Sequence, residues 1–207
     1  MYQHQKNSIS AGTDLDKAKK ALIMLHGRGA GAEDIISLSR EFNLSDTAIL
    51  APQATNSSWY PYSFMAPVEN NQPALDSALE LIGGLVDDIL AAGIPSGQIY
   101  FLGFSQGACL TLEYVARNPQ RYGGIIAFTG GLVGHTLNTE LYSGDFQNTP
   151  VLITTGDPDP HVPVSRVLET VSILKALNAE VTYKVYVDRP HTISQQELDL
   201  ANELIFK

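Results

Sequence analysis

Ile99-Tyr100-Phe101-Leu102-Gly103-Phe104-Ser105-Gln106-Gly107, running on into Ala108-Cys109-Leu110-Thr111-Leu112-Glu113-Tyr114-Val115, is the stretch whose reading decides the fold. Residues 98–102 form a short apolar run of strand type, and residues 106–117 carry a helix-forming pattern. Between them lies Gly-x-Ser-x-Gly. The pentapeptide alone recurs by chance in about one chain in fifteen of this length, given about 7% usage of Gly and of Ser. A strand before it and a helix after it are what give it meaning. Such a turn puts Ser105 in a strained backbone conformation, so its neighbours must be small enough for strand and helix to approach. Gly103 and Gly107 meet that demand. The Ser105 hydroxyl then stands at the carboxyl end of a sheet and at a helix N-terminus, where unpaired N–H groups and the helix dipole favour negative charge. The competing reading is an ordinary strand-to-helix turn with a capping serine.

Working outward, apolar runs bounded by Gly, Pro or Asn recur at 21–25, 48–51, 124–128, 151–155 and 181–187. Most are continuously apolar, as strands covered on both faces are, and this implies a largely parallel sheet between helices. Helices are expected over 33–42, 73–92, 106–117, 163–177 and 195–206. Ser194 with Glu197 three residues on is a capping box, so the last helix starts just after the loop carrying His191. The expected architecture is a three-layer α/β/α sandwich forming a single domain over 1–207. No inserted stretch is long enough for a separate cap domain. Two connections, Thr55–Gln72 and Gly130–Thr149, exceed the usual two to six residues. The first leaves the carboxyl end of a strand, the edge where open α/β sheets bind ligands, and this puts forward Trp59, Phe64 and Met65 as substrate-binding residues. The alternative is that these side chains pack back on the sheet.

A serine nucleophile on such a turn takes its partners in the chain order Ser, acid, His, on loops after later strands. Here 151–155 is followed by Gly156-Asp157-Pro158-Asp159-Pro160-His161-Val162-Pro163, and 181–187 by Asp188-Arg189-Pro190-His191. His191 is placed to take the Ser105 proton during attack and return it to the leaving group, while a carboxylate fixes the imidazole tautomer. Asp157 and Asp159 both stand after the right strand, and order alone does not choose between them. His26, His135 and His161 fit the order less well and are read as supporting or surface residues. Near the start, Leu25-His26-Gly27-Arg28-Gly29 ends a strong strand as an oxyanion-binding loop would, which makes the amides of Arg28 and Gln106 the two oxyanion donors. A phosphate-binding loop is the rival reading, but the Gly-Lys-Ser/Thr and dinucleotide spacings are both missing.

These four motifs together resemble the phospholipase/carboxylesterase family, the acyl-protein thioesterase-like serine hydrolases of the α/β-hydrolase fold. The similarity in motif order spans about residues 20 to 205, and Ser58-Trp59-Tyr60-Pro61 resembles the bacterial members. The resemblance implies a cofactor-free enzyme with a shallow apolar acyl site. It assigns Ser105 as nucleophile, Asp159 as acid, His191 as base and the Arg28 and Gln106 amides as oxyanion donors. Asp159 is chosen because the family's acid stands before a Val-Pro pair, here Val162-Pro163, whereas Asp157 is left to brace the turn. Two departures stand out. Ala108-Cys109 replaces a position where the family often has another Gly, which bears on helix packing. Asp188-Arg189-Pro190 replaces a flexible Gly/Met-rich approach to the base, which bears on the pocket rim and hence on substrate choice.

The expected activity is hydrolysis of small to medium acyl esters by a serine carboxylesterase, with acyl thioester or lysophospholipid hydrolysis by the same groups as the alternative. A ligand-binding protein on a hydrolase fold is the non-enzyme alternative, which an intact Ser, Asp and His set argues against. Composition removes other classes. The net charge of −9 over 207 residues opposes nucleic-acid backbones, and no Lys/Arg cluster offsets it. No apolar run approaches the roughly 18 residues of a membrane span, so no stable membrane insertion is expected. The five histidines are scattered and one cysteine, Cys109, stands alone, which supplies neither a metal ligand set nor a disulfide. The N-terminal residues are polar and unlike a secretory leader, which makes the cytoplasm the expected compartment. The oligomeric state is left open, a homodimer included.

Overall fold

Parallel strands covered on both faces must alternate their side chains between two helical layers, and the computed structural model of this chain shows where each set goes. It describes residues 2–206. Met1 and Lys207, the ends of the expected domain, lie outside the described residues. Strands β1 (Ser8–Gly12), β2 (Lys20–Leu25), β3 (Thr47–Pro52), β4 (Ile99–Phe104), β5 (Gly124–Phe128), β6 (Pro150–Asp157) and β7 (Glu180–Val187) form one sheet in the order β1-β3-β2-β4-β5-β6-β7. Every pairing is parallel except that of β1 with β3.

Leu22, Met24, Ile49, Leu102, Ile126 and Leu152 point to one face, where α1 (Ala32–Ser37) covers them together with the C-terminal helix Gln195–Leu204. Ala21, Ile23, Leu25, Leu50, Phe101, Ile125 and Ile153 point to the other. That second face carries α3 (Ala74–Ala91), preceded by the short α2 (Val68–Asn71), then α4 (Gln106–Arg117) and α5 (Val164–Ala176). The helix Gln195–Leu204 is α6. The fold is therefore a three-layer α/β/α sandwich of the α/β-hydrolase kind, and α4 is its central helix, buried along almost its whole length.

Three expectations are corrected in detail. β1 was not expected, because its Ser-Ile-Ser-Ala-Gly sequence is exposed at every position and an edge strand needs no apolar face. The helix expected over 33–42 is α1 followed by a 3₁₀ turn at Leu38–Glu41. β7 is the opposite edge and is not covered on both faces: Tyr183 and Val187 are exposed. The two long connections hold only short turns of helix, at Thr55–Ser57 and α2 in the first and at Thr139–Leu141 in the second, so no cap forms over the sheet among the described residues. No described helix is long and apolar enough to cross a membrane.

Candidate active site

The turn from β4 to α4 is as tight as its glycines suggest. A Cβ on Gly103 would lie 2.4 Å from the Gly107 carbonyl oxygen, and one on Gly107 would lie 2.1 Å from the Leu25 oxygen. Neither approach leaves room for a side chain. Ser105 sits between them at φ 53°, ψ −117°, a conformation that costs about 1–3 kcal/mol and persists only when its surroundings enforce it. Its amide donates to the Phe128 carbonyl at 3.0 Å, which ties the turn to β5.

From this perch Ser105 Oγ lies 2.8 Å from His191 Nε2, and His191 Nδ1 lies 2.8 Å from Asp159 Oδ2. The carboxylate accepts the Nδ1–H, which leaves Nε2 free to accept the serine proton. The other carboxylate oxygen, Oδ1, takes the amides of His161 and Val162, each at 2.9 Å. Burial of the Asp159 side chain would raise its pKa. The bonds from His191, His161 and Val162 outweigh that and hold the carboxyl below its ordinary value. Asp157, at the end of β6, is exposed, and its carboxylate has no hydrogen bond among the described residues. It braces the turn only through its backbone, its carbonyl accepting the Asp188 amide at 2.8 Å.

The amides of Arg28 and Gln106 have no acceptor among the described residues, and both residues line the same cleft as Ser105. Gln106 is the first residue of α4, so its N–H is one of the helix's orphan donors. The side chains of these two residues do something the sequence did not disclose. Arg28 donates four hydrogen bonds, to Ser58 Oγ and to the carbonyls of Tyr60, Pro61 and Tyr62, at 2.7–2.9 Å. Gln106 accepts the Trp59 amide at 3.0 Å and donates to the Tyr60 carbonyl at 2.8 Å. Both donor positions are thereby strapped to the aromatic loop.

That loop forms one wall of a cleft of about 630 Å³, with Tyr60 and Phe64 on one side, Phe104, Cys109 and Val162 behind, and His161 and Tyr62 at the rim. Of the three residues put forward for substrate binding, Phe64 lines it. Trp59 and Met65 do not. Trp59 is fully buried under the loop, its Nε1–H donating to the His26 carbonyl at 2.8 Å, and Met65 packs against the core instead. An aromatic-rich loop announces apolar side chains but not which way each turns. Cys109 is the lone thiol of the chain. It is buried, and burial pushes its pKa up to about 12, yet it also borders the cleft. No cluster of metal-ligand type occurs among the described residues.

Comparison with known proteins places the chain among relatives. The family model described as Phospholipase/Carboxylesterase matches residues 6–207. A probable carboxylesterase SOBER1-like of Arabidopsis thaliana is 27% identical over 212 aligned positions, covering 93% of this chain and 80% of that protein. Among solved structures, a phospholipase/carboxylesterase from Dyadobacter fermentans DSM 18053 is 63% identical, with a TM-score of 0.98 over 100% of this chain and 99% of the other. The esterase PE8 is 26% identical with a TM-score of 0.79, over 95% of each chain. With its fold and this likeness together, the chain belongs to the phospholipase/carboxylesterase family, whose members are hydrolases acting on ester bonds.

Proposed function

We propose that the protein is a serine carboxylesterase of small to medium acyl esters, acting as one domain through an acyl-enzyme on Ser105. The observation that carries this reading is the unbroken hydrogen-bonded chain from Ser105 through His191 to Asp159, ending beside two unpaired amides. In the proposed reaction His191 Nε2 takes the Ser105 proton as Oγ attacks the ester carbonyl, and the oxyanion is held by the N–H groups of Arg28 and Gln106. Each such donor is worth about 2.7–4 kcal/mol in the transition state. The imidazolium, stabilised by Asp159, gives its proton to the departing alcohol. Water then attacks the acyl-enzyme by the same route in reverse, His191 acting as base.

The acyl group is assigned to the cleft beside Tyr60, Phe64, Cys109 and Val162, whose apolar walls and volume suit a short to medium chain better than a large polar one. Trp59 enters as a support for the loop and not as a contact. A series of p-nitrophenyl esters of rising acyl length tests this reading. The expected result is a kcat/KM optimum at short to medium chains that Phe64→Ala moves to longer ones, with Met65→Ala leaving it in place. A profile indifferent to chain length in both variants would remove the acyl assignment. Matched acyl thioesters turned over far faster than the oxygen esters would favour the thioesterase reading.

A further inference from the structure

Behind the base lies a buried cation that the reaction scheme does not use. Arg189, two residues before His191, is 8% exposed, and Glu197 of α6 is fully buried. Nη1 of Arg189 donates to the carbonyls of Pro190, at 3.0 Å, and of Thr192. These are the residues on either side of His191. Nη2 donates to Thr129 Oγ1 at 2.6 Å, at the carboxyl end of β5, and Nε lies 3.6 Å from Glu197 Oε2. Glu197 in turn accepts the Ser194 amide and hydroxyl at 2.8 Å each and the Thr154 hydroxyl from β6. One guanidinium thus grips the base loop on both sides of the imidazole and fastens it to the sheet and to α6.

A buried ion pair is a poor source of stability, because desolvating two charges offsets most of their attraction. Its geometry here serves placement. Asp159 holds the imidazole by its ring and Phe104 packs 5.2 Å from it, while the loop backbone fixes where that ring starts from. The pair also matters electrostatically. A lone cation near a base that must become imidazolium would oppose the proton transfer, and Glu197 cancels it. The other titratable groups facing this corner are Asp159 at Nδ1, the His161 ring with its centroid 4.9 Å from that of His191, Tyr186 packed 6.0 Å from the guanidinium, and Lys184 over the Tyr186 ring.

We infer that Arg189, neutralised by Glu197, is a positioning residue that sets His191 against Ser105, and that this pair takes the place of the flexible approach to the base. The inference rests on Ser105 and His191 acting as proposed above. Steady-state kinetics normalised to Ser105 sites titrated by a fluorophosphonate keep the two apart. If no variant and no wild-type protein were labelled, the reaction scheme itself would fall.

Given labelling, Arg189→Lys is expected to lower kcat per labelled site about 10- to 100-fold with KM within about twofold. The ammonium keeps the charge but cannot span both carbonyls and Thr129, and a misplacement of about 1 Å costs a rate factor of that order. Its pH–rate profile should stay where the wild-type profile lies. Arg189→Met should show the same loss with the kinetic pKa of the base raised by the unpaired Glu197, and Glu197→Gln should lower that pKa. Arg189→Lys at the wild-type kcat per labelled site would overturn the inference. So would Arg189→Met and Glu197→Gln leaving the kinetic pKa unmoved or moving it in the same direction.

Discussion

The Asp159 carboxylate accepts three hydrogen bonds, and that of Asp157, two residues earlier on the same loop, accepts none among the described residues. Substituting Asp159 by Asn keeps an oxygen for the two backbone amides but turns an N–H toward His191 Nδ1, which forces the wrong imidazole tautomer. The loss of kcat should therefore be large, about 10³- to 10⁴-fold on the precedent of serine triads, with little change in Tm. Asp157→Asn should leave kcat within about twofold and Tm unchanged, since its carboxylate holds nothing. Steady-state assays on folded protein with matched melting curves decide it, and reversed losses would make Asp157 the acid. At this scale the sequence placed Ser105 and His191 by motif and order. Chain order could not separate the two aspartates, because an Asp-x-Asp spacing does not say which side chain a turn points inward, and only the family resemblance chose Asp159. The roles of the Arg28, Gln106 and Arg189 side chains were illegible for a related reason: most of their partners are backbone groups, which leave no mark on residue identity.

The aromatic loop 53–62 behaves as one element, and two buried histidines pin it. His26 Nε2 accepts the Ala54 amide and His4 Nδ1 the Thr55 amide, each at 3.1 Å, with the Trp59 ring packed between the two imidazoles. Burial lowers both histidine pKa values, outweighing the opposite pull of the Trp59 carbonyl on His4 and the Gly27 carbonyl on His26. A proton on either acceptor nitrogen would break its bond, so the unfolded chain takes up protons that the folded one refuses. Stability is then complete above the unfolded histidine value near 6.5 and falls as pH drops below it, at up to about 1.4 kcal/mol per pH unit for each histidine. Asp159 adds a separate loss only at lower pH, because its depressed carboxyl contributes stability above the unfolded Asp value near 3.9. Melting curves should be flat between pH 8 and 7 and decline from about 6.5 toward 5. His4→Asn should shrink that decline. A Tm constant down to pH 5 would contradict the clamp. Nothing in the spacing of His4 and His26 announced it, since they meet the loop through tertiary contacts.

For the molecule as a whole, the legible part was the part that buries surface. Strands β2 to β6 are apolar at both faces, and helices α3, α4 and α5 show the longer period that covers them, so their order gave the sandwich directly. Edges escape such reading. β1 pairs entirely through its backbone, and β7 mixes exposed and half-buried positions because only one side meets a neighbour. What the assembled sheet does is bring the ends of β2, β4, β6 and β7 to one rim, where a strained serine, an imidazole and a satisfied carboxylate meet over a cleft with two idle amides. On the reading proposed above, this rim hydrolyses esters through Ser105. Its most direct test is to treat the protein with a fluorophosphonate and locate the adduct by peptide mass spectrometry while following ester hydrolysis. One adduct per chain is expected, on Ser105, formed in step with loss of activity and missing from an inactive Ser105→Ala variant. An adduct on another residue, or a Ser105→Ala protein that still hydrolyses esters at the wild-type rate, would contradict it.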